Sequence, residues 1–258
     1  MKIAIPIWRS SDALRYVINV AYIDYINGAG LTPIIITPET TSIASECDGL
    51  MLPGGIDIDP IYYNNENLGS YATSPERDEY ERRLLNLFIE VGKPIFGICR
   101  GFQLIIREFL LTHPNANKLM TFYQHVNDHN GPADYKVKRS QPIHFIDVDT
   151  GLWDKDSDKK ITYPVNSMHH QALVLKHKDN RFKVAEGKLY IAGVTYYGLS
   201  DHMIKHNHAI IEAVTINLGK CKITAVQWHP EEMKDYVLLR QSFQDARKGI
   251  DENLELEV

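Results

Sequence analysis

The chain has 258 residues, 44% hydrophobic and 24% charged, a composition typical of one large α/β domain or two small ones. Its formal net charge is −5 and it has no basic stripe, which argues against a protein that binds nucleic acid or an anionic membrane. Three cysteines with no CxxC pair form no disulfide framework and indicate a reducing compartment. With no signal-peptide pattern and no apolar run of membrane-spanning length, we expect a cytoplasmic protein.

The first half of the chain predicts short buried strands that alternate with amphipathic helices. This alternation is typical of a parallel sheet with helices on both faces, in which active sites lie at the carboxyl ends of the strands. Two turns occupy such places, Pro53-Gly54-Gly55 and the turn at Cys99. The expected elements are strands at Ile3–Ile7, Pro33–Thr37, Leu50–Leu52 and Pro94–Ile98, a helix capped by Ser11 or Asp12 with Leu14, Val17, Ile18, Ala21 and Tyr25 on one face, and a helix from about Glu76 to Val91.

The second half is less regular. We expect short antiparallel strands such as Ile143–Val148 in the polar stretch, strand-and-turn segments at Asn166–Leu175 and Ile223–Trp228, and a closing helix at Tyr236–Arg247. No internal repeat or linker is visible, so we predict a single domain over residues 1–250 and an acidic, frayed tail at 251–258. The predicted fold is α/β, a flavodoxin-like three-layer sandwich with a mostly parallel central sheet and a smaller antiparallel section.

The strongest local signal is the segment Gly97–Gln103, GICRGFQ, between a predicted strand and a predicted helix. The pattern G-x-C-x-G is the thiol counterpart of a nucleophile elbow, in which flanking glycines permit a strained turn that lifts the side chain clear of the sheet. A helix N-terminus also favours the thiolate over the thiol. A buried structural cysteine is the ordinary alternative, and the flanking glycines argue against it at Cys99.

A second segment, Gln227–Glu231 (QWHPE), follows the strand that ends near Val226. A thiol nucleophile needs a general base, and the base needs an acceptor on its other ring nitrogen. His229 and Glu231 are two residues apart, so in an extended segment their side chains point the same way. The sequence therefore predicts Cys99, His229 and Glu231 as a catalytic set.

These two segments resemble the signature motifs of class I glutamine amidotransferases. More narrowly, Asn166–Gln171 (NSMHHQ) and Pro75–Asp78 (PERD) resemble segments of the γ-glutamyl-γ-aminobutyrate hydrolase family. The resemblance implies a Cys99 nucleophile with His229 as its base and Glu231 as the orienting group. It also implies an oxyanion hole made by the backbone N–H groups of Gly55 and Arg100, and substrate-binding roles for Gln103, Ser167, Met168, His169, Gln171 and Arg77.

Two segments depart from that family's pattern. Thr112–Asn117 stands where the family has a Gly-Gly turn, and a longer excursion, Glu186–Ala209, precedes the strand that begins Ile210-Ile211. We expect both to be substrate-facing loops. Because they differ from the family's pattern, the sequence does not identify the amine that departs.

Two pairs of histidines are candidate metal ligands. His202 and His206 are four residues apart and would share a helical face, but no glutamate lies between them and Lys205 would repel a cation. Neighbouring His169 and His170 could be ligands, a second base or a pocket wall; adjacent side chains of an extended segment diverge, which favours the wall, with His169 facing inward. We expect no metal and no cofactor.

The favoured function is a stand-alone hydrolase, an omega peptidase that cleaves a γ-glutamyl amide through a thioester on Cys99. The alternative is a glutaminase subunit that passes ammonia to a separate synthase polypeptide. A third possibility, a silent scaffold, has no need of the full set Cys99, His229 and Glu231. The expected partner is a small γ-glutamyl molecule, with a synthase only under the alternative, no nucleic acid and no membrane; a homodimer is left open.

Overall fold

One twelve-stranded sheet organises the chain, with a separate two-stranded sheet near the N-terminus. The computed structural model describes residues 1–10, 14–63, 65–113, 120–130, 138–154, 157, 159–176, 181–184 and 187–244. The strands are β1 (Lys2–Pro6), β2 (Trp8–Arg9), β3 (Tyr16–Val17), β4 (Thr32–Ile36), β5 (Gly49–Leu52), β6 (Ile95–Ile98), β7 (Met120–Tyr123), β8 (His144–Asp149), β9 (Lys160–Val165), β10 (Ala172–Leu175), β11 (Arg181–Val184), β12 (Gly187–Thr195), β13 (Ala209–Leu218) and β14 (Cys221–Val226).

In the described part of the chain, six α-helices and three 3₁₀ helices accompany the strands. The α-helices are α1 (Val20–Gly28), α2 (Pro75–Glu90), α3 (Arg100–Thr112), α4 (Asp201–Lys205), α5 (Pro230–Met233) and α6 (residues 236–244), and the 3₁₀ helices are Pro38–Glu46, Pro60–Tyr63 and Thr150–Leu152. None of the described helices is long and apolar enough to cross a membrane.

Five strands form the parallel half of the sheet, in the order β4-β1-β5-β6-β14. Their side chains alternate between two buried cores: Ile3 and Ile5 of β1 face one core, and Ala4 faces the other. Helices α2 and α3 supply Phe88 and Phe102 to the core that contains Ala4. Helices α1 and α6 cover the opposite face, with buried residues such as Tyr25, Ile26, Leu238, Leu239 and Phe243. Because strands buried on both faces need apolar residues throughout, β5 and β6 read as continuous apolar runs.

The other half of the sheet is antiparallel. It continues from β14 through β13, β12 and β8 to β9, and β10 pairs with β13 and β7 while β11 pairs with β12. The predicted α/β fold with parallel central strands and an antiparallel section is thus confirmed. The predicted acidic tail at 251–258 and the last residues of the closing helix lie outside the described residues.

The helix predicted from Ser11 or Asp12 starts later than expected. Arg9 and Trp8 pair with Tyr16 and Val17 in a small antiparallel ribbon, so that stretch is extended. Helix α1 begins only after Asn19, whose side-chain oxygen accepts a hydrogen bond from the backbone N–H of Ala21. Leu14, predicted on the buried face, is 82% exposed. The apolar spacing predicts a longer helix, but Tyr16 and Val17, which would lie in its first turns, pair with β2 instead. Ser11 and Asp12 are outside the described residues.

The excursion Glu186–Ala209 is mostly regular structure and not the expected loop. Residues Gly187–Thr195 form β12, which pairs along most of its length with β13. Helix α4 follows, and only the short connections around it are irregular. The sequence did contain a signal for this strand, since Gly187–Thr195 is mostly apolar and Leu189, Ile191 and Val194 are buried in the sheet. Of the other departing segment, Thr112 and His113 close α3, and residues 114–117 are not described.

Candidate active site

Cys99 lies at the junction of β6 and α3, with φ 49° and ψ −104°. A non-glycine residue rarely adopts this backbone conformation, and such strain is typical of functional turns. The backbone strain falls on Cys99 itself. Gly101 is required for a different reason, because the chain passes close to Leu52 here and a Cβ would lie 2.2 Å from the Leu52 carbonyl oxygen. The side chain is less accessible than predicted, since Cys99 is 6% exposed. The strained turn therefore holds the thiol in a buried position and not in the exposed position that was predicted.

His229 and Glu231 lie side by side, buried. The Nδ1–H of His229 donates a hydrogen bond to Glu231 Oε1 at 2.6 Å. The geometric reason differs from the predicted one, because Pro230 begins the short helix α5 and the two residues sit at its N-terminus instead of in an extended segment. The remaining ring nitrogen, Nε2, has no hydrogen-bond partner among the described residues and is available to a thiol.

The protonation of His229 follows from its neighbours. Burial lowers the pKa of this imidazole, but the Glu231 carboxylate and Cys99 outweigh burial and raise the pKa to about 10. A β-carbon added to Gly54 would lie 3.0 Å from His229 Cε1 and 3.4 Å from Cys99 Cβ, so this turn touches both residues. The structure thus brings together the predicted nucleophile, base, orienting carboxylate and the Pro53–Gly55 turn.

The backbone of His229 is held from both sides by Asn166. The Asn166 Oδ1 accepts from the His229 N–H at 2.9 Å, and the Asn166 Nδ2 donates to the His229 carbonyl at 3.0 Å. The sequence placed Asn166 near the substrate, as part of the segment Asn166–Gln171. Its observed contacts make it a residue that positions the base, 63 residues away along the chain, and no local motif could have indicated this.

The predicted oxyanion donors belong to the Pro53–Gly55 turn and to Arg100, the first residue of α3. The neighbouring N–H of Gly54 is already engaged, since it donates to the Tyr22 hydroxyl oxygen at 3.0 Å. Burial, and secondarily the carboxylate of Glu231, raises the pKa of Tyr22 well above its ordinary value, so this hydroxyl stays neutral. That leaves the N–H of Gly55 and, at the start of α3, the N–H of Arg100 as the candidates to stabilise a developing negative charge.

Four buried charges lie directly beneath these turns. Arg77 Nε donates to Glu81 Oε1 at 2.7 Å, and the two Nη atoms of Arg100 donate to Asp78 Oδ1 and Glu81 Oε2. All four side chains are at most 1% exposed. Arg77 and Asp78 are neighbours in the chain, yet each of them pairs with another residue. We call Arg77, Asp78, Glu81 and Arg100 the charge network.

Arg77 connects the charge network to the oxyanion turn. Its Nη2 donates to the Gly54 carbonyl at 3.0 Å, and its guanidinium lies over the Trp8 ring. Burial, and then the nearby Arg100, lowers the pKa of Arg77 to about 9, while burial raises the pKa of Asp78 despite its contact with Arg100. These contacts support the turn; the substrate role predicted for Arg77 stays a prediction.

The other residues predicted to bind substrate form two groups. Gln103 Nε2 donates to the Gln171 carbonyl and to Gln227 Oε1, both at 3.2 Å, which ties α3 to the other segments of the site. Gln171 in turn donates to Ser70 Oγ at 2.6 Å, and its own Oε1 is buried with no partner in the described part of the chain. Met168 is half-buried.

Ser167 and His169 face a different neighbourhood. The Ser167 hydroxyl donates to the His129 carbonyl at 2.5 Å, and His169 Nδ1–H donates to the Gln171 carbonyl at 2.9 Å. The other ring nitrogen of His169 lies 3.7 Å from Glu212 Oε1. The sequence expected His169 as the inward wall of the pocket; instead its ring belongs to a buried group with Glu212.

That group consists of His129, His144, His169 and Glu212, which we call the histidine cluster. Burial, and then nearby His169, lowers the pKa of His129 to about 4. Burial raises the pKa of Glu212, yet the adjacent imidazoles of His144 and His169 outweigh burial and hold that pKa well below its ordinary value. The sequence did not predict a role for His129 or His144, because they belong to separate segments that are distant from Glu212 along the chain.

The neighbouring His170 points elsewhere. Its Nε2–H donates to Asp57 Oδ2 at 2.8 Å, and its ring stacks on the exposed Tyr71 with centroids 4.2 Å apart. The divergence of the two adjacent histidines, expected for an extended segment, is observed. The other pair considered for metal binding, His202 and His206, lies exposed on α4 with rings 4.2 Å apart.

The family model for Peptidase C26 matches residues 5–191 of the chain. Among curated proteins, the chain is 29% identical to a glutamine amidotransferase-like protein, YvdE, of Lactococcus lactis over 82% of this chain and 79% of that protein. It is 27% identical to the γ-glutamyl-γ-aminobutyrate hydrolase PuuD of Escherichia coli K12, over 86% and 82% of the two chains.

Solved structures share the fold at low identity. The glutaminase domain of Trypanosoma brucei CTPS with bound acivicin is 14% identical and superposes with a TM-score of 0.51, over 96% of this chain and 94% of that one. A glutamine amidotransferase from Thermotoga maritima is 11% identical with a TM-score of 0.50, over 95% and 97%. These two structures show that the chain has a known α/β fold.

Proposed function

The chain belongs to the Peptidase C26 family, and from that premise we propose that it is a cysteine-dependent γ-glutamyl hydrolase. Its substrate is a γ-glutamyl amine, cleaved through a thioester on Cys99. The observation that carries the proposal is the buried set of Glu231, His229 and Cys99 beside the Gly54 turn. Such a set is the arrangement that nucleophilic acyl transfer needs.

The first step is acylation. The Cys99 sulfur attacks the γ-carbonyl carbon, and the resulting oxyanion accepts hydrogen bonds from the N–H groups of Gly55 and Arg100. The His229 imidazolium, stabilised by Glu231, then gives its Nε2 proton to the leaving nitrogen. The C–N bond breaks, the amine departs, and a γ-glutamyl thioester remains on the sulfur.

The second step is hydrolysis of that thioester. Neutral His229 removes a proton from an incoming water, whose oxygen attacks the same carbonyl carbon within the same oxyanion site. Collapse of the intermediate breaks the C–S bond and restores the Cys99 thiolate beside the protonated His229. The new γ-carboxyl group loses its proton to solvent, and glutamate leaves. Asn166 supports both steps because its two hydrogen bonds hold the backbone of the base.

A glutaminase that supplies ammonia to a synthase polypeptide is the second candidate. The observation in its favour is that several relatives, YvdE among them, have names that refer to glutamine amidotransferases. The chemistry at Cys99 is the same in both cases, so only the leaving group and the need for a partner distinguish them.

The test is a panel of γ-glutamyl amides and glutamine, incubated with the purified chain, with glutamate, free amine and ammonia measured separately. We expect hydrolysis of at least one γ-glutamyl amine at a higher kcat/KM than glutamine, with no other protein added. The Cys99→Ala variant is the blank for contaminating activity. Turnover of glutamine alone, seen only after a cell extract is added, would replace the hydrolase with the amidotransferase subunit.

A further inference from the structure

The histidine cluster is built around one carboxylate oxygen. Glu212 Oε1 lies 3.3 Å from His144 Nε2, 3.7 Å from His169 Nε2 and 3.8 Å from His129 Nδ1. The four residues come from a turn, from β8, from the Asn166–Gln171 segment and from β13, and all are at most 5% exposed. We propose that this cluster is a structural zinc site, with His129, His144, His169 and Glu212 as the four ligands.

The spacing of these atoms fits a tetrahedral ion. Zn–N and Zn–O bonds of about 2.0–2.1 Å at tetrahedral angles separate ligand atoms by about 3.4 Å. The three measured distances from Glu212 Oε1 lie within about half an ångström of that value, and the ligand atoms of His129, His144 and Glu212 all lie within 4.8 Å of one another. Small side-chain shifts would therefore close these three ligands around an ion, and His169, which lies outside that group of three, would have to move further to become the fourth.

Two of the imidazoles are already oriented as ligands. His129 donates its Nε2–H to the Tyr197 carbonyl at 2.8 Å, and His169 donates its Nδ1–H to the Gln171 carbonyl at 2.9 Å. A neutral imidazole has one N–H, so the other nitrogen of each ring carries a lone pair. His169 Nε2 lies 3.7 Å from Glu212 Oε1, and His129 Nδ1 lies 3.8 Å from the same oxygen and 3.5 Å from Ser167 Oγ. Metal-binding histidines usually make this second hydrogen bond, which fixes the tautomer and the ring orientation.

The acceptor atoms of the cluster lack donors. Within the described part of the chain, both Glu212 carboxylate oxygens, both ring nitrogens of His144 and Nε2 of His169 have no well-formed hydrogen bond. Buried polar atoms are normally satisfied, and several acceptors that converge on one point in the absence of donors call for a cation. Three imidazoles and one carboxylate suit zinc better than magnesium or calcium, which prefer oxygen ligands.

Full burial of the four ligands indicates a structural ion and not one that binds water for chemistry. Its role follows from the position of His169 in the segment that also contains Asn166. An ion that clamps this segment to β8 and β13 would hold the residues that position His229. This site is separate from the proposed thiol chemistry and does not depend on it.

The experiment must exclude two other places where zinc can bind, the Cys99–His229 pair and the exposed His202–His206 pair. We would therefore strip the Cys99→Ala/His202→Ala/His206→Ala variant with EDTA, reload it with Zn²⁺, and remove the excess. We expect one zinc per chain by mass spectrometry of the metal, and a thermal unfolding midpoint several degrees above that of the stripped protein. Co²⁺ in place of Zn²⁺ should give the visible bands of a tetrahedral ion and no thiolate charge-transfer band.

Two ligand variants complete the test on the same background. His144→Gln and Glu212→Gln should each lose the stoichiometric metal, and circular dichroism would show whether they fold. Less than a tenth of a zinc per chain in the reloaded triple variant, or a full equivalent that survives in a folded Glu212→Gln variant, would overturn the site. Because the triple variant alters no cluster residue, the first result decides even if both ligand variants unfold.

Discussion

The charge network and the histidine cluster are both fully buried, yet they balance their charges differently. In the charge network, two guanidinium groups meet two carboxylates, and each carboxylate accepts from at least one arginine. In the histidine cluster, a single carboxylate lies among three imidazoles, and most of the facing atoms have no donor among the described residues. The charge network balances opposite charges, although Arg77 Nη1 and Arg100 Nε make no hydrogen bond among the described residues, whereas a group of acceptors is completed by a cation.

The two regions also differ in what they support. The charge network lies beneath the elbow and the oxyanion turn, through Arg100 and the bond from Arg77 to the Gly54 carbonyl. The histidine cluster adjoins the segment that holds the base, through His169 and the neighbouring Asn166. The proposed nucleophile and the proposed base are therefore supported by separate buried groups. A substitution in the charge network leaves the residues of the histidine cluster unchanged, and the reverse also holds.

The largest effect should come from Cys99→Ala, which removes the nucleophile and leaves both buried groups in place. We expect hydrolysis to fall by roughly 10⁵–10⁶-fold, as for other nucleophile deletions, with an unchanged circular dichroism spectrum. Cys99→Gly should be equally inactive but more stable than Cys99→Ala by about 1 kcal/mol, since glycine tolerates the φ of 49°. Residual activity in either variant would move the nucleophile elsewhere.

Alkylation of the native protein tests the same assignment from another side. Burial raises the pKa of the Cys221 thiol to about 12 and raises that of Cys47, so neither should react readily. Peptide mapping after a short exposure to iodoacetamide should therefore find the label on Cys99.

The second effect should come from Glu81→Gln, which opens the charge network. Glu81 accepts from both Arg77 and Arg100, so the substitution leaves buried positive charge uncompensated and should cost about 3–5 kcal/mol in the free energy of unfolding. Glu79→Gln on the same helix is the matched control, because its partners Arg82 and Arg83 are partly exposed, and it should cost less than about 1 kcal/mol. Equal urea midpoints for the two variants would show that the network contributes no more than a surface pair.

A third, smaller effect is expected from Asn166→Ala on the base side. Loss of both hydrogen bonds to the His229 backbone should cost about 1–3 kcal/mol in stability. Misplacement of the base should lower kcat by roughly 10–100-fold, with a smaller change in KM. Asn19→Ala, which removes the cap of α1, should cost about 1 kcal/mol and leave kcat unaltered. If both variants lower kcat alike, Asn166 has no special relation to the base.

The last comparison concerns pH. The folded state raises the pKa of His229 from its ordinary 6.5 to about 10, so this proton contributes stability that is complete below pH 6.5 and is lost as the pH rises toward 10. The slope due to this group is at most about 1.4 kcal/mol per pH unit. Glu231→Gln removes the main cause of the raised pKa, so its urea stability should decline less than that of the wild type between pH 6.5 and 9.5. Parallel curves for the two proteins would separate Glu231 from the charge state of His229.

The difference between the two regions explains what the sequence could predict. Cys99, its flanking glycines and the strand before them lie within a few residues, so their spacing revealed the elbow. His229 and Glu231 were visible for the same reason, even though the helical start at Pro230 was not. The carboxyl-end rule for parallel strands then located the Pro53–Gly55 turn without any contact information.

The histidine cluster was not visible because its ligands converge only in the folded antiparallel half. His129, His144 and Glu212 occupy three separate segments, and polar residues within a strand such as β8 give no local signal of burial. The partners of Asn166 and of Arg77 were hidden in the same way. The late start of α1 was missed for a different reason: the pairing of β2 with β3 overrode an apolar spacing that suits a helix.

The bond between the Cys99 N–H and the Val226 carbonyl has a consequence for the order in which the protein matures. Strand β14 and His229 are made long after the elbow, as the 124-residue separation of the bonded pair Gln103 and Gln227 illustrates. Contacts this distant form late in folding, and domains made on the ribosome acquire their C-terminal strands last. In the proposed mechanism, a nascent chain therefore lacks the base that Cys99 needs, and His229 reaches the thiol only when the final parallel strand docks.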